Sequence, residues 1–194
     1  MRAAIALFVV MVLGGVSGCT AADPVDEGDN NGANTQKYNL TGYYLIEATI
    51  DFAIAGIPEN QRVQNLYLTA HVLHDNTGLS GELYWNYSGS QWIVKPLSNV
   101  SYKGDKITYT VKGFTFPQSK FPDLLTADMT LDIYVNGTIK SADEAVGTAT
   151  YDIKQAQTKV GTISNVLQGN YLVHRDLDPQ ASDYPPGKLA ASSL

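Results

Sequence analysis

Three histidines, one cysteine and 19 Asp and Glu residues are the side chains of this 194-residue chain that could bind a metal, attack a substrate or move protons. His71 and His74 lie three positions apart in a segment that alternates apolar and polar residues. Along a strand that spacing sends the two imidazoles to opposite faces, so they cannot chelate one metal. His174-Arg175-Asp176-Leu177 matches a fragment of the kinase catalytic loop. No glycine-rich phosphate loop or magnesium-binding sequence accompanies it, and the chain is too short for that fold. There is no GxSxG, Walker-type loop or HExxH sequence. Glu27, Asp29, Asn31 and Gly32 have part of the spacing of a calcium loop, but Tyr38 occupies the place of its bidentate Glu. Glu47, Glu82 and Asp152 sit in separate segments and could act as paired carboxylates only if the fold brought two of them together. The expectation is a non-enzymatic protein without metal or cofactor.

Cys19 has a different context. Arg2 opens the chain, Ala3 to Leu13 form an apolar run, and small residues continue to Gly18. This uncharged stretch is shorter than the roughly 20 apolar residues of a comfortable membrane span. A positive start, a short apolar core and small residues at the end are the pattern of a secretory signal. Val16-Ser17-Gly18-Cys19 resembles the lipobox of bacterial lipoproteins. The resemblance implies cleavage before Cys19, a diacylglycerol on its sulfur and a further acyl chain on the new amino terminus. Each buried methylene stabilises membrane attachment by about 0.8 kcal/mol, so two or three chains make a lasting anchor. Thr20 stands where an Asp would resemble an inner-membrane retention signal, which implies transport to the outer membrane in a host with two membranes.

Residues 1–18 are thus expected to be a signal peptide and residues 19–36 a lipidated Cys with a flexible acidic linker. From Thr20 to Gln36 there are acidic residues but neither basic nor aromatic ones, and such a composition cannot bury enough apolar surface to fold. As a coil it reaches roughly 20–25 Å. The net charge of −6 with no basic run excludes a nucleic-acid partner.

From Tyr38 onward the period is two. Tyr44, Ile46, Ala48, Ile50 and Phe52 share one face against Glu47, Thr49 and Asp51. The same alternation recurs over residues 65–74, 79–87 and 127–135. Further strands are expected near 91–94, 106–114, 145–153, 160–165 and 170–175. Turn sequences such as Asp75-Asn76-Thr77-Gly78 and Lys103-Gly104-Asp105 separate them. No long helical periodicity appears, and residues 122–126 offer one turn at most. This is an all-β chain, a single antiparallel barrel or sandwich of about 8–9 strands spanning residues 37–175, with 176–194 expected to be a disordered tail.

Aromatic residues cluster at Tyr84, Trp85, Tyr87 and Trp92. Neighbours in a strand face opposite ways, so part of this group supplies core and part could form an exposed stacking platform of the kind sugars use. Gly42-Tyr43-Tyr44 at the start of the first strand and Arg175 at the end of the last are similar to the lipocalin pattern of a Gly-x-Trp and a late Arg packed across the barrel floor, with Tyr44 in place of Trp. The resemblance implies an internal apolar cavity, structural roles for Gly42, Tyr44 and Arg175, and a cation–π contact between Tyr44 and Arg175. Together these residues suggest an envelope lipoprotein held to the membrane by its lipid. Its β-domain would bind a small apolar ligand or a partner protein. A carbohydrate-binding module is the alternative and an envelope hydrolase the third reading.

Overall fold

The computed structural model describes residues 37–53, 59–159, 163 and 165–189. The expected signal peptide, Cys19 and the expected linker therefore lie outside the described residues. Eight strands form the frame: β1 (Gly42–Asp51), β2 (Val63–Asp75), β3 (Gly78–Asn86), β4 (Trp92–Lys103), β5 (Lys106–Phe116), β6 (Met129–Ser141), β7 (Glu144–Gln155) and β8 (Val166–Arg175). One helical turn (Glu59–Arg62) precedes β2, and a 3₁₀ turn (Gln118–Lys120) follows β5. Each strand pairs antiparallel with the next, and β8 returns to β1, so the sheet closes into an up-and-down barrel. The sandwich alternative is thereby resolved, and closure leaves no sheet edge. The strand expected at 160–165 lies largely outside the described residues; Ile163 and Asn165 belong to no strand.

Alternation does the positioning. Tyr44, Ile46, Ala48 and Ile50 of β1, Leu66, Leu68 and Ala70 of β2 and Leu131, Ile133 and Val135 of β6 are all buried in one cluster. Side chains pack across both ends of the barrel. At the end with short turns, residues 37–41 cross beneath the strands. The Tyr38 amide donates to the Tyr102 hydroxyl at 2.8 Å, the Leu40 amide donates to His74 Nδ1 at 3.2 Å, and Leu40 packs against Tyr102 and Ile139. At the other end the β5–β6 and β7–β8 connections fold inward. They pair through Leu125 and Thr158 and bury Phe121, Leu124, Leu125 and Ile163 against Phe52, Phe116 and Leu167. The turn expected at 122–126 is part of this lid.

The closing seam carries its own repair. The β1–β8 ladder runs from Tyr44 to Ala48 and resumes only at Asp51. Across the gap the Thr49 hydroxyl donates to the Asn170 carbonyl at 3.4 Å and accepts from the Asn170 amide at 2.9 Å. The freed Thr49 carbonyl accepts from the Tyr151 hydroxyl at 2.7 Å, so a β7 side chain reaches past β8 to β1. Gly169 makes that reach possible, since a Cβ there would fall on the Thr49 carbonyl oxygen and crowd the Tyr151 ring.

The chain beyond β8 corrects the expected disordered tail. Residues 176–189 form a strap laid on the outer face of β1–β3. Tyr184 is only 1% exposed, with its ring edge-on to Tyr43 at 4.9 Å and to Tyr84 at 6.2 Å. Its hydroxyl donates to Asp176 at 2.8 Å. Lys188 Nζ lies 2.6 Å from Glu82, the Tyr43 hydroxyl donates to the Lys188 carbonyl at 3.0 Å, and Thr69 Oγ1 donates to the Asp183 carbonyl at 2.8 Å. A polar, proline-containing composition suggests disorder only when no surface awaits it, and here a row of outward rings does.

Candidate functional site

Tyr44 and Arg175 are paired across the β1–β8 seam. The guanidinium carbon sits 5.7 Å from the Tyr44 ring centroid, within cation–π range. Nη2 donates to the Asn39 and Thr41 carbonyls at 3.2 and 3.0 Å and to the Tyr44 hydroxyl at 3.3 Å, while Nε lies 3.3 Å from Asp143. Burial raises the Tyr44 phenol above its ordinary value despite the facing guanidinium. Gly42 lies directly under the group, where an added methyl would come to 3.4 Å from Nε. These contacts tie the amino-terminal segment, β1, β8 and the β6–β7 turn together at the barrel floor.

Inside the barrel little space is left. One cavity of about 70 Å³ lies near the floor, lined by Leu40, Val72, Ile107, Ile139, Ala145 and Val173. A second, of about 20 Å³, lies deeper, and Ile46, Leu83, Tyr109 and Tyr171 border both. Burial raises the phenols of Tyr109, Tyr151 and Tyr171, so all three are neutral in the folded chain.

The four expected binding aromatics do not form one platform. Trp85 is buried in the core, stacked on Phe114 with centroids 5.8 Å apart, and Tyr87 is half-buried beside it at 5.9 Å. Tyr84 and Trp92 point outward. Tyr84 is fully buried beneath the strap, where its hydroxyl donates to Glu82 at 2.9 Å; burial raises its phenol far above the ordinary value. Trp92 is half-buried and helps line an outer hollow of about 370 Å³, together with Leu45, Glu47, Tyr67, Asn86 and Asp183. A second outer hollow, of about 250 Å³, lies over the interrupted seam and is lined by Glu47, Thr49, Asn65, Tyr67, Asn170 and Leu172. Glu47 and Tyr67 are direct cross-strand partners and form the wall common to both. Tyr67 is 67% exposed. In the sequence its one signal is its phase, outward along β2 with Thr69 and His71.

The ionisable candidates are dispersed. His71 stacks on Tyr43 at 4.5 Å under the strap, whereas His74 receives the Leu40 amide at the floor. Burial lowers the His71 pKa, opposed by Glu82 and assisted by Lys188. Glu82 is held below the ordinary carboxylate value, chiefly by its hydrogen bond with Lys188. Asp152 faces Asp132 across β6–β7, and Lys154 neutralises both at 2.5 and 3.8 Å. Asp132 also accepts the Gly113 amide at 2.8 Å, which fastens the β5 bulge. Glu47 lies on β1, Glu82 on β3 and Asp152 on β7, and no two of these three carboxylates meet. No group of metal-ligating side chains occurs among the described residues. The kinase-like tetrapeptide is divided: His174 is exposed, Arg175 holds the floor and Asp176 holds the strap.

Comparison with protein-family models, with characterised proteins and with solved structures gives no match for this chain.

Proposed function

We propose that this chain is a lipid-anchored cell-envelope protein, held through Cys19, that binds its partner on the outer face of β1–β4 rather than inside the barrel. The observation that carries the reading is a contrast of volumes. Small-molecule sites are commonly about 300–1,000 Å³, while the interior keeps a cavity of only about 70 Å³. The outer hollow beside Trp92 is about 370 Å³. An apolar ligand inside the barrel would have to displace core side chains. The closed eight-stranded barrel and the Gly42–Tyr44–Arg175 contacts support a lipocalin-like body whose interior has been filled. Three further features support the anchor: the signal pattern, the lipobox ending in Cys19, and an acidic spacer that lets the barrel stand clear of the bilayer. Thr20 favours the outer membrane as its place.

The test is site-specific photo-crosslinking in the native host, with the reactive residue at Tyr67 and, as control, at Tyr134, an exposed tyrosine on β6. A discrete adduct is expected from position 67 only. The captured component, once purified, should bind the wild-type protein and not Tyr67→Ala. Equal adducts from both positions would overturn the outer-face reading. Radiolabelled fatty acid fed to the host should enter the wild-type protein and not Cys19→Ser; an unlabelled wild type would overturn the anchor.

A further inference from the structure

We infer that the two outer hollows are adjacent subsites for a neutral oligosaccharide whose rings pack on either side of the Tyr67 side chain; this rests on the outer-face reading. The first support is chemical. A pyranose offers an axial C–H face that packs on an aromatic ring, and a rim of hydroxyls that need both donors and acceptors. Tyr67 is the most exposed ring on this face, and Trp92 on β4 and Leu45 on β1 extend the apolar surface of the larger hollow. Around these rings stand groups able to take hydroxyls: Asn86 and Asp183 in the larger hollow, Asn65 and Asn170 in the smaller, and Glu47 between them.

The second support is charge. The residues lining the two hollows include Glu47 and Asp183 but no Lys, Arg or His. An anionic sugar would bring its carboxylate or sulfate towards two carboxylates with no cation in the lining, a repulsion that the half-exposed setting reduces but does not abolish. A neutral or amino sugar meets no such barrier. The third support is shape. Two hollows that share one cross-strand wall give a repeating pocket–ridge–pocket profile, which suits a chain of linked rings. A folded partner protein, by contrast, needs a continuous patch of about 800 Å².

The experiment titrates the full acylated chain, solubilised in a detergent without a sugar headgroup, with cellotetraose, maltotetraose and chitotetraose. Tetragalacturonate serves as the anionic counterpart. Binding is read by calorimetry and by tryptophan emission, in which Trp92 reports the hollow and buried Trp85 reports an intact core. At least one neutral tetrasaccharide is expected to bind, with tetragalacturonate weaker by on the order of ten-fold. Tyr67→Ala should weaken the neutral sugar by about ten-fold or more, and Tyr67→Phe should bind as the wild type because the ring and not the hydroxyl makes the contact. Asp183→Asn should narrow the gap between neutral and anionic sugars. No binding by any neutral probe, equal binding of the anionic one, or an unaffected Tyr67→Ala with a normal core signal would overturn the assignment. Should crosslinking at Tyr67 yield a protein that rebinds while no sugar does, the outer-face reading stands and the saccharide falls. Should neither occur, both fall.

Discussion

Replacing Tyr184 with alanine should free the carboxy-terminal strap and leave the barrel folded. The side chain is 1% exposed, and its ring meets Tyr43 and Tyr84 edge-on. Burying such a side chain is worth about 2 kcal/mol, and each ring pair adds roughly 0.5–1.5 kcal/mol. The hydroxyl's bond to Asp176 contributes about 1.5 kcal/mol, as hydrogen bonds to charged groups do. Together these come to roughly 4.5–6.5 kcal/mol, with the docking energy of the strap itself as a ceiling. All of it acts on residues 176–189; no strand ladder passes through Tyr184. Hydrogen exchange read by NMR is the assay. The Asp183 and Lys188 amides, bonded to the Gln180 and Pro185 carbonyls at 2.9 and 3.0 Å, should lose roughly three to five powers of ten in protection, capped by the docking energy of the strap. Amides of β6 and β7, at the far side of the barrel, should keep theirs. Two results would refute the reasoning: unchanged protection in the strap, or a matching loss in β6 and β7. The first means that Tyr184 does not hold the strap, and the second that strap and barrel unfold as one unit.

Four other outcomes follow from the same contacts. Acid should loosen the strap. The docked His71 pKa lies below its ordinary 6.5, so docking is at full strength above that pH and weakens as pH falls through the docked value. Glu82, depressed below 4.5, adds a second loss at still lower pH; proteolysis within 176–189, followed against pH, checks both. Gly169→Ala should cost about 3 kcal/mol, because a Cβ meets the Thr49 backbone and the Tyr151 ring, and calorimetry should show a melting point lower by roughly 6–12 °C. Arg175→Ala should cost about 2 kcal/mol and expose residues 37–41 to exchange, since the guanidinium holds the Asn39 and Thr41 carbonyls. Alkaline unfolding should begin above about pH 10, where the buried phenols of Tyr109, Tyr151 and Tyr171 would ionise once exposed; the neutral forms stabilise the fold below that value. A flat stability profile through that range by circular dichroism would contradict their burial.

Local pattern alone carried most of the strand positions, the faces they bury and the turns between them, but it ended β4 at residue 94 where the strand runs on to Lys103. A side-chain period of two is a property of the backbone, and Tyr44 through Phe52 display it without help from any other segment. The nineteenth residue and its neighbours likewise carry the whole expectation of a lipid anchor, since a processing enzyme reads a short peptide. Closure was not legible in that way. It depends on β8 meeting β1 across more than a hundred residues, and on Thr49, Tyr151 and Gly169 repairing the seam from three different strands. Only the folded chain could decide how much room the barrel keeps: the length of the 115–126 connection suits a cap or lining for an open end, but that Phe121, Leu124, Leu125 and Ile163 enter the core is a matter of packing. The fate of Tyr184 was hidden for the same reason: its burial requires Tyr43 and Tyr84, on β1 and β3, to present their rings side by side. Tyr67 shows the division most plainly. Its outward phase is written in the alternation of β2, but its place between two hollows depends on Glu47, Asn86, Asn170 and Asp183 arriving from β1, β3, β8 and the strap, and such convergence is a matter of tertiary distances.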